Sequence, residues 1–406
     1  MSVEPFKINV PQAKLDALRT KLDNATFPND APMTQDWSYG PPLADIKRLT
    51  ARWREGFDWR AAEAKINNEL PQFTTTVSVD GFGDLGIHLV HKRSSSPDAI
   101  PLLFCHGWPG SFIEVSKILP LLTAADARPS FHVVAPSMPN YAFSDSVGAP
   151  GFSIPQYAEA MHKTMLRLGY DRYVTQGGDW GFAVTRLMGN LYPKHCLASH
   201  WNYLYTPPPT LTANPLLYLR SFLPNTAEDG MRSERTSWFF NESYGYNKQQ
   251  STRPATIGYL QADSPVGVLA WIYEKLHDWT DSYPWTDDEI LTWVSIYVLS
   301  RGGPDVASRI YYENVHSKQA AHLSRFEYNG LVKLGWSLFP RDLQLWPASH
   351  GHMLGPLVLQ KRHADGGHFA AWERPDVLVG DLREMFGKNG GAEDVARRCR
   401  ESKSKL

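Results

Sequence analysis

Gly177-Gly178-Asp179-Trp180-Gly181 is the segment that most narrows what this chain can fold into. It follows the apolar run Val174 to Gln176 and precedes a helix-forming stretch that reaches about Leu191. Glycines on both sides of a polar residue, between a strand and a helix, suit a turn so tight that its central residue is strained. Such a turn pushes that side chain out above a sheet. The pattern is the nucleophile elbow G-x-S-x-G with Asp in place of Ser. An ordinary glycine-rich turn, with Asp capping the helix, would give the same string. The rest of the chain has to decide between the two.

Along the chain, Pro11 to about Asn24 reads as a short amphipathic helix, followed by a Pro- and Trp-containing stretch to about Asp58. A second helical stretch covers roughly Trp59 to Leu70. From Phe73 the period changes. Thr74 to Val79 and Ile87 to His91 alternate like two strands of a hairpin, with Gly81 and Gly83 near the turn. Short apolar runs then recur at Pro101 to Cys105, Phe131 to Pro136, Val174 to Gln176 and Leu197 to Asn202. Buried strands alternating with helices predict an α/β fold with a doubly wound, mostly parallel sheet. The rhythm breaks at Thr206-Pro207-Pro208-Pro209, and the chain reads helical to about Asn314, including Pro265 to Trp279 and Asp287 to Leu299. Strand-like runs return at Ser337 to Phe339 and Leu357 to Lys361. A helical insert in such a sheet is expected to lie as a lid over its carboxyl edge, where these folds bind ligands. The expected division is an N-terminal segment at 1–72, a core at 73–206 and 315–406, and a lid at 207–314.

Composition excludes several classes. Lys plus Arg is 41 against 42 Asp plus Glu, so nothing points to nucleic acid or an anionic surface. The 14 Trp suit a core and also a site for apolar molecules. Cys105, Cys196 and Cys399 are too few and too far apart for a disulfide framework or a metal site. No cofactor or metal is expected, and neither a signal peptide nor a membrane anchor is seen. A homodimer is compatible with the sequence. Ser404-Lys405-Leu406 spells a peroxisomal address, which implies the import receptor as a partner and a peroxisomal location, otherwise a cytoplasmic one.

The choice of Asp carries chemistry. A Ser that attacks saturated carbon forms an ether, which is a dead end, whereas a carboxylate forms an ester that water can cleave. A carboxylate near its reference pKa of about 4 needs no base to ionise it. An Asp elbow therefore points to displacement at saturated carbon, as in epoxides or alkyl halides. His368, in Asp365-Gly366-Gly367-His368-Phe369, sits on a glycine-flanked loop after a late strand, where such a fold places its base. His106 is the rival but reads as structural. Asp342, in Phe339-Pro340-Arg341-Asp342, is preferred as the acid that orients His368, with Asp365 the nearer alternative. His106-Gly107-Trp108-Pro109-Gly110 falls where the fold supplies one oxyanion N–H; the donors would be Trp108 and Trp180.

Together these residues resemble the epoxide hydrolases of the α/β-hydrolase superfamily, in the microsomal-type and fungal branch. HGWPGSF at 106–112, GGDWG at 177–181 and GGHFAAWERP at 366–375 carry the likeness, and EPFKINVPQAKLDALRTKL looks like the opening of that branch's N-terminal segment. The resemblance covers nearly the whole chain. It implies a small apolar or aromatic epoxide and water as reactants, with Asp342 matching the relay acid of a phrase like FPxD. It also implies two lid tyrosines. One is Tyr246, ahead of Ser251-Thr252-Arg253-Pro254; the other is Tyr311 or Tyr312 in Ile310-Tyr311-Tyr312-Glu313-Asn314, with the register favouring Tyr311. Two phenols can polarise the epoxide and protonate the leaving oxygen. Haloalkane dehalogenases share the Asp elbow, and a silent ligand-binding scaffold would share the fold; the tyrosines favour the epoxide, and the complete Asp, His and acid set disfavours silence.

The address motif makes a direct prediction. Fused behind a fluorescent protein, the last residues direct it to peroxisomes, and deleting Leu406 releases it to the cytosol. A cytosolic signal from the intact tail would contradict the reading.

Overall fold

Nine strands pair into one mixed sheet in a computed structural model that describes residues 2–220, 222 and 227–403. The strands are β1 Glu4–Phe6, β2 Gln72–Val79, β3 Gly83–Lys92, β4 Ile100–Cys105, β5 Phe131–Pro136, β6 Tyr173–Gly177, β7 Cys196–Trp201, β8 Lys333–Leu338 and β9 Leu357–Arg362. Their order is β1-β2-β3-β5-β4-β6-β7-β8-β9. The first three pair antiparallel, and every pair from β5 to β9 is parallel. Every residue of β4, β5, β6 and β7 is buried, because helices cover both faces of the parallel part. The hairpin of β2 and β3 alternates along β2 instead, as expected of strands at the side of a sheet.

The parallel register positions the site. Cys105 pairs with Gly177 and Gly177 with Trp201, so the loops that leave β4, β6 and β7 emerge side by side at one edge. Leu338 pairs with Arg362, which brings the loops after β8 and β9 to the same edge. Arg341 and Gly367 then form an isolated parallel bridge beyond the two strands.

After β7 the chain leaves the sheet and runs through helices that include Gly245–Thr252, Pro265–Asp278, Asp287–Val298 and Arg309–His316. Two of these begin with side-chain caps. Ser264 accepts the N–H of Gly267, and Thr286 and Glu289 form a reciprocal capping box. The helical stretch continues past Asn314 to Phe326, and β8 starts at Lys333 rather than Ser337. The N-terminal segment packs on this insert: Arg52 forms a two-pronged pair with Asp288 at 3.0 Å on each arm, and Lys14 reaches the Ser300 carbonyl at 3.1 Å. That segment holds a helix, Leu43–Glu55, within the Pro- and Trp-containing stretch to which the sequence assigned no element. Pro42 stands just outside its first turn, where proline favours a helix start, and Leu43, Ile46, Leu49 and Trp53 form its buried stripe. Ser404, Lys405 and Leu406 lie outside the described residues.

The elbow's helix passes so close to β4 that a Cβ on Gly181 would lie 1.9 Å from the Cys105 carbonyl oxygen. Gly181→Ala is expected to lower unfolding free energy by about 3 kcal/mol in denaturant titration. Gly148→Ala, whose added methyl meets nothing within 4 Å, should stay within about 0.5 kcal/mol of the parent. Equal effects would contradict this packing.

Candidate active site

Asp179 stands between β6 and the helix Trp180–Leu191 with φ 51° and ψ −126°. A non-glycine residue there costs on the order of 1–3 kcal/mol, a strain that recurs at functional turns. The turn presses against the loop after β4: a Cβ on Gly107 would lie 2.3 Å from the Asp179 side chain. That closeness lets the Trp108 N–H donate to Asp179 Oδ1 at 2.9 Å. Trp180 is the first helical residue, so its N–H is one of the first-turn donors without an intrahelical acceptor.

The other carboxylate oxygen, Oδ2, lies 3.5 Å from His368 Nε2, and His368 Nδ1 donates to Asp342 Oδ1 at 2.6 Å. Asp342 Oδ1 also accepts the Leu343 N–H at 2.7 Å, which holds the carboxylate in place. His368 and Asp342 are both buried. Burial alone would lower the His368 pKa. The Asp342 charge and the contacts with Asp179 overcome it and raise the ring to about 10, so it is an imidazolium at neutral pH. The insert braces this pair. The His368 N–H donates to the Trp279 carbonyl at 2.7 Å, and Arg235 donates to the backbone carbonyl of Asp342 at 3.0 Å and to that of Asp278 at 2.8 Å.

Among the described residues neither rival from the sequence bonds to Asp179, His368 or Asp342, although His106 borders Asp179 in a small cavity. Asp365 pairs with Arg374 and is exposed. His106 is buried, contacts the Gly107 carbonyl at 3.0 Å and accepts the Met138 N–H at 3.3 Å; burial pushes it down to about 4, so it is neutral.

Tyr246 and Tyr311 come from two insert helices and meet over Asp179. Their rings are 5.8 Å apart; Tyr246 stacks on Trp108 at 5.1 Å, and Tyr311 meets Trp180 edge-on at 4.8 Å. With Asp179, Trp180, Tyr203 and Phe239 they line a cavity of about 340 Å³. Burial first, then nearby Asp179, raises the Tyr246 phenol well above its ordinary value. Burial, then Tyr246 and Asp179, does the same for Tyr311. Both are therefore proton-bearing at neutral pH. The Tyr311 hydroxyl is buried without a hydrogen-bond partner among the described residues. Tyr312 does not line the cavity; it is half-buried and stacks on His316 at 3.9 Å.

The sequence reading missed several residues at this site. A second, much smaller cavity of about 20 Å³ is lined by Asp179, His368, Glu114, Gln176 and Asn202. That is room for one water, whose occupancy requires a polar wall. The wall is polar: Glu114 Oε1 and Gln176 Oε1 are buried without partners among the described residues, and Asn202 joins Gln176 at 2.7 Å to the His368 carbonyl at 3.2 Å. Burial pushes the Glu114 carboxyl up to about 8; His368 opposes the rise and Asp179 adds to it. Glu114 follows HGWPGSF closely, yet no spacing rule marks it, and Asn202 shows only as the end of an apolar strand.

Comparison with known proteins gives the family and the fold. Residues 3–115 match the family described as "Epoxide hydrolase N terminus", and residues 100–200 match "alpha/beta hydrolase fold". Juvenile hormone epoxide hydrolase 1 of Ctenocephalides felis is 31% identical, over 98% of this chain and 89% of its own length. The solved epoxide hydrolase of Aspergillus niger superposes with a TM-score of 0.81 at 34% identity, covering 94% of this chain and 95% of that one. Juvenile hormone epoxide hydrolase from the silkworm Bombyx mori gives 0.84 at 28% identity, covering 99% and 96%.

The raised Glu114 carboxyl has a measurable sign. The folded chain keeps a proton that the unfolded chain releases near 4.5, so stability falls as pH rises from about 4.5 to about 8. Glu114→Gln removes that loss. Its melting temperature relative to the parent should therefore rise between about pH 5 and about pH 8, by roughly 2 °C or more. A gap that does not change with pH would contradict the buried, protonated acid.

Proposed function

Because this chain belongs to the epoxide hydrolases of the α/β-hydrolase fold, its reaction is the hydrolysis of an epoxide, and we propose that it runs through an ester on Asp179. One observation carries the proposal: Asp179 Oδ1 is held by the Trp108 N–H while Oδ2 is left to face the cavity walls and His368. Oδ2 attacks an epoxide carbon, the C–O bond breaks, and the departing oxygen takes a proton from Tyr246 or Tyr311. A phenol suits this because its ordinary pKa of about 10 lies below that of an alkoxide.

The charges order the two steps. While Asp179 is an anion, it helps Asp342 keep His368 protonated. Alkylation neutralises Asp179, and His368 loses part of what holds its proton. It hands that proton to the phenolate left by ring opening, which restores the phenol, and is a base only once there is an ester to hydrolyse. A water in the small polar cavity gives His368 a proton and attacks the ester carbonyl carbon. Oδ1, now the carbonyl oxygen, becomes the oxyanion beside the N–H groups of Trp108 and Trp180. The bond from Cγ to Oδ2 breaks, the leaving oxygen takes the proton back from His368, and the diol leaves with Oδ2; the acid left on Asp179 then returns its proton to His368, and both recover their starting charges. Asp342 orients His368 and stabilises its charged form. The helical insert acts as a lid that excludes bulk water and delivers the two phenols. Haloalkane displacement would use the same carboxylate but needs no proton donors. The C-terminal SKL sequence supports a peroxisomal site of action.

Two outcomes are expected. With enzyme in excess in ¹⁸O-water, the diol of the first turnover carries almost no label, and later turnovers become labelled; a fully labelled first diol would mean that water attacks the epoxide directly. In single-turnover kinetics, Tyr246→Phe and Tyr311→Phe each slow alkylation by about tenfold or more, whereas Tyr312→Phe does not. Parent rates in both cavity variants would remove the phenols from the mechanism.

A further inference from the structure

Among the described residues, Arg325 is a buried cation without an anion. It lies in the helical turn Ser324–Phe326 after the insert's last helix, and it is 8% exposed. Its Nη1 is 2.8 Å from the His322 carbonyl oxygen and 2.6 Å from His322 Nε2, and its guanidinium lies 4.4 Å over the Phe326 ring. Burial and the Arg325 charge push His322 down to about 4, so that ring is neutral as well. No carboxylate pairs with Arg325 among the described residues. Buried charges in proteins are as a rule paired, because an unpaired one forfeits much of its hydration with nothing to replace it. An isolated guanidinium in such a place is a candidate ligand contact.

Its position says which ligand. Arg325 lines the same cavity as Asp179, Tyr246 and Tyr311. At the reactive end the two phenols are fully buried, whereas Tyr205, Phe240 and Val315 on the same cavity wall are 40%, 41% and 60% exposed. Arg325 belongs to the exposed end, since the Phe326 ring beneath it meets Tyr205 at 5.8 Å. Much of the remaining wall is aromatic, with Tyr203, Phe239 and Tyr244. A molecule that satisfies all of this has an epoxide at one end, an apolar middle and an anion at the other.

We infer that Arg325 binds a carboxylate at the cavity mouth, and that this enzyme acts on epoxides that carry a carboxylate remote from the ring. The guanidinium suits that partner because its planar donors match the two carboxylate oxygens. The inference rests on the epoxide reading and narrows it to amphiphilic acids.

The test compares a terminal epoxide of a medium-chain fatty acid, its methyl ester and styrene oxide. The parent enzyme should prefer the free acid to its ester by about tenfold in kcat/KM, roughly 1.4 kcal/mol, and added salt should erode that preference. Arg325→Gln should bring the acid-to-ester ratio close to one, mainly through KM for the acid, and Arg325→Lys should restore part of it. Equal rates on acid and ester in the parent would overturn the inference. So would an Arg325→Gln enzyme that loses activity on all three substrates in proportion, since that marks a structural role. Should Arg325→Gln not fold, the parent alone decides: decanoate should compete with styrene oxide more tightly than decanamide, and equal inhibition would refute the carboxylate site. A parent inert on every epoxide would instead overturn the epoxide reading, while calorimetry of decanoate against decanamide would still report on Arg325.

Discussion

Three ionised groups share one buried space at this site: the His368 imidazolium stands between the carboxylates of Asp342 and Asp179. Such a cluster is poor stabiliser material, because removing charges from water offsets most of what their attraction returns. Its value is in how it responds. Two carboxylates and one cation leave an excess negative charge, which rests on Asp179, the one of the two acids that opens onto the cavity. The Trp108 N–H and the first turn of the helix Trp180–Leu191 hold that charge in place without quenching it. Neutralising Asp179 shifts the balance and frees His368 to act as a base.

Other features around the cluster cost stability as well. Asp179 takes a strained backbone, Glu114 is buried near neutral pKa, and the Tyr311 hydroxyl is buried without a partner. Costs of this kind gather where a fold has to do chemistry, and the surrounding scaffold offsets them. Here the scaffold is a parallel sheet whose central strands are wholly buried, with insert helices tied to the His368 and Asp342 loops through Trp279 and Arg235. Arg325 is a fourth cost of this kind, at the far end of the same cavity.

How much of this was legible follows from what each part demands of the chain. The elbow, HGWPG and GGH are short strings in which backbone geometry dictates glycine next to a polar residue, so they can be read directly. The parallel strands were visible as apolar runs, but short Glu4–Phe6 carries no pattern, and Leu43–Glu55 was hidden behind prolines that in fact open it. Spacing alone left Asp342 against Asp365 and Tyr311 against Tyr312. Each choice depends on which way a loop or a helix turns in three dimensions, and the structure brings Asp342 and Tyr311 to the site. Glu114, Gln176 and Asn202 escaped notice because they meet only when β4, β6 and β7 lie side by side. Arg325 escaped because an unpaired charge cannot be recognised until its neighbours are known.

The central claim is that Asp179 is alkylated and that His368 acts only afterwards. The most direct measurement is the mass of a His368→Gln enzyme after incubation with epoxide, followed by peptide mapping. The account predicts a stable gain of one substrate mass, located on the peptide that contains Asp179, because ring opening proceeds and hydrolysis stalls. An unmodified His368→Gln enzyme, or an adduct on any other residue, would contradict it.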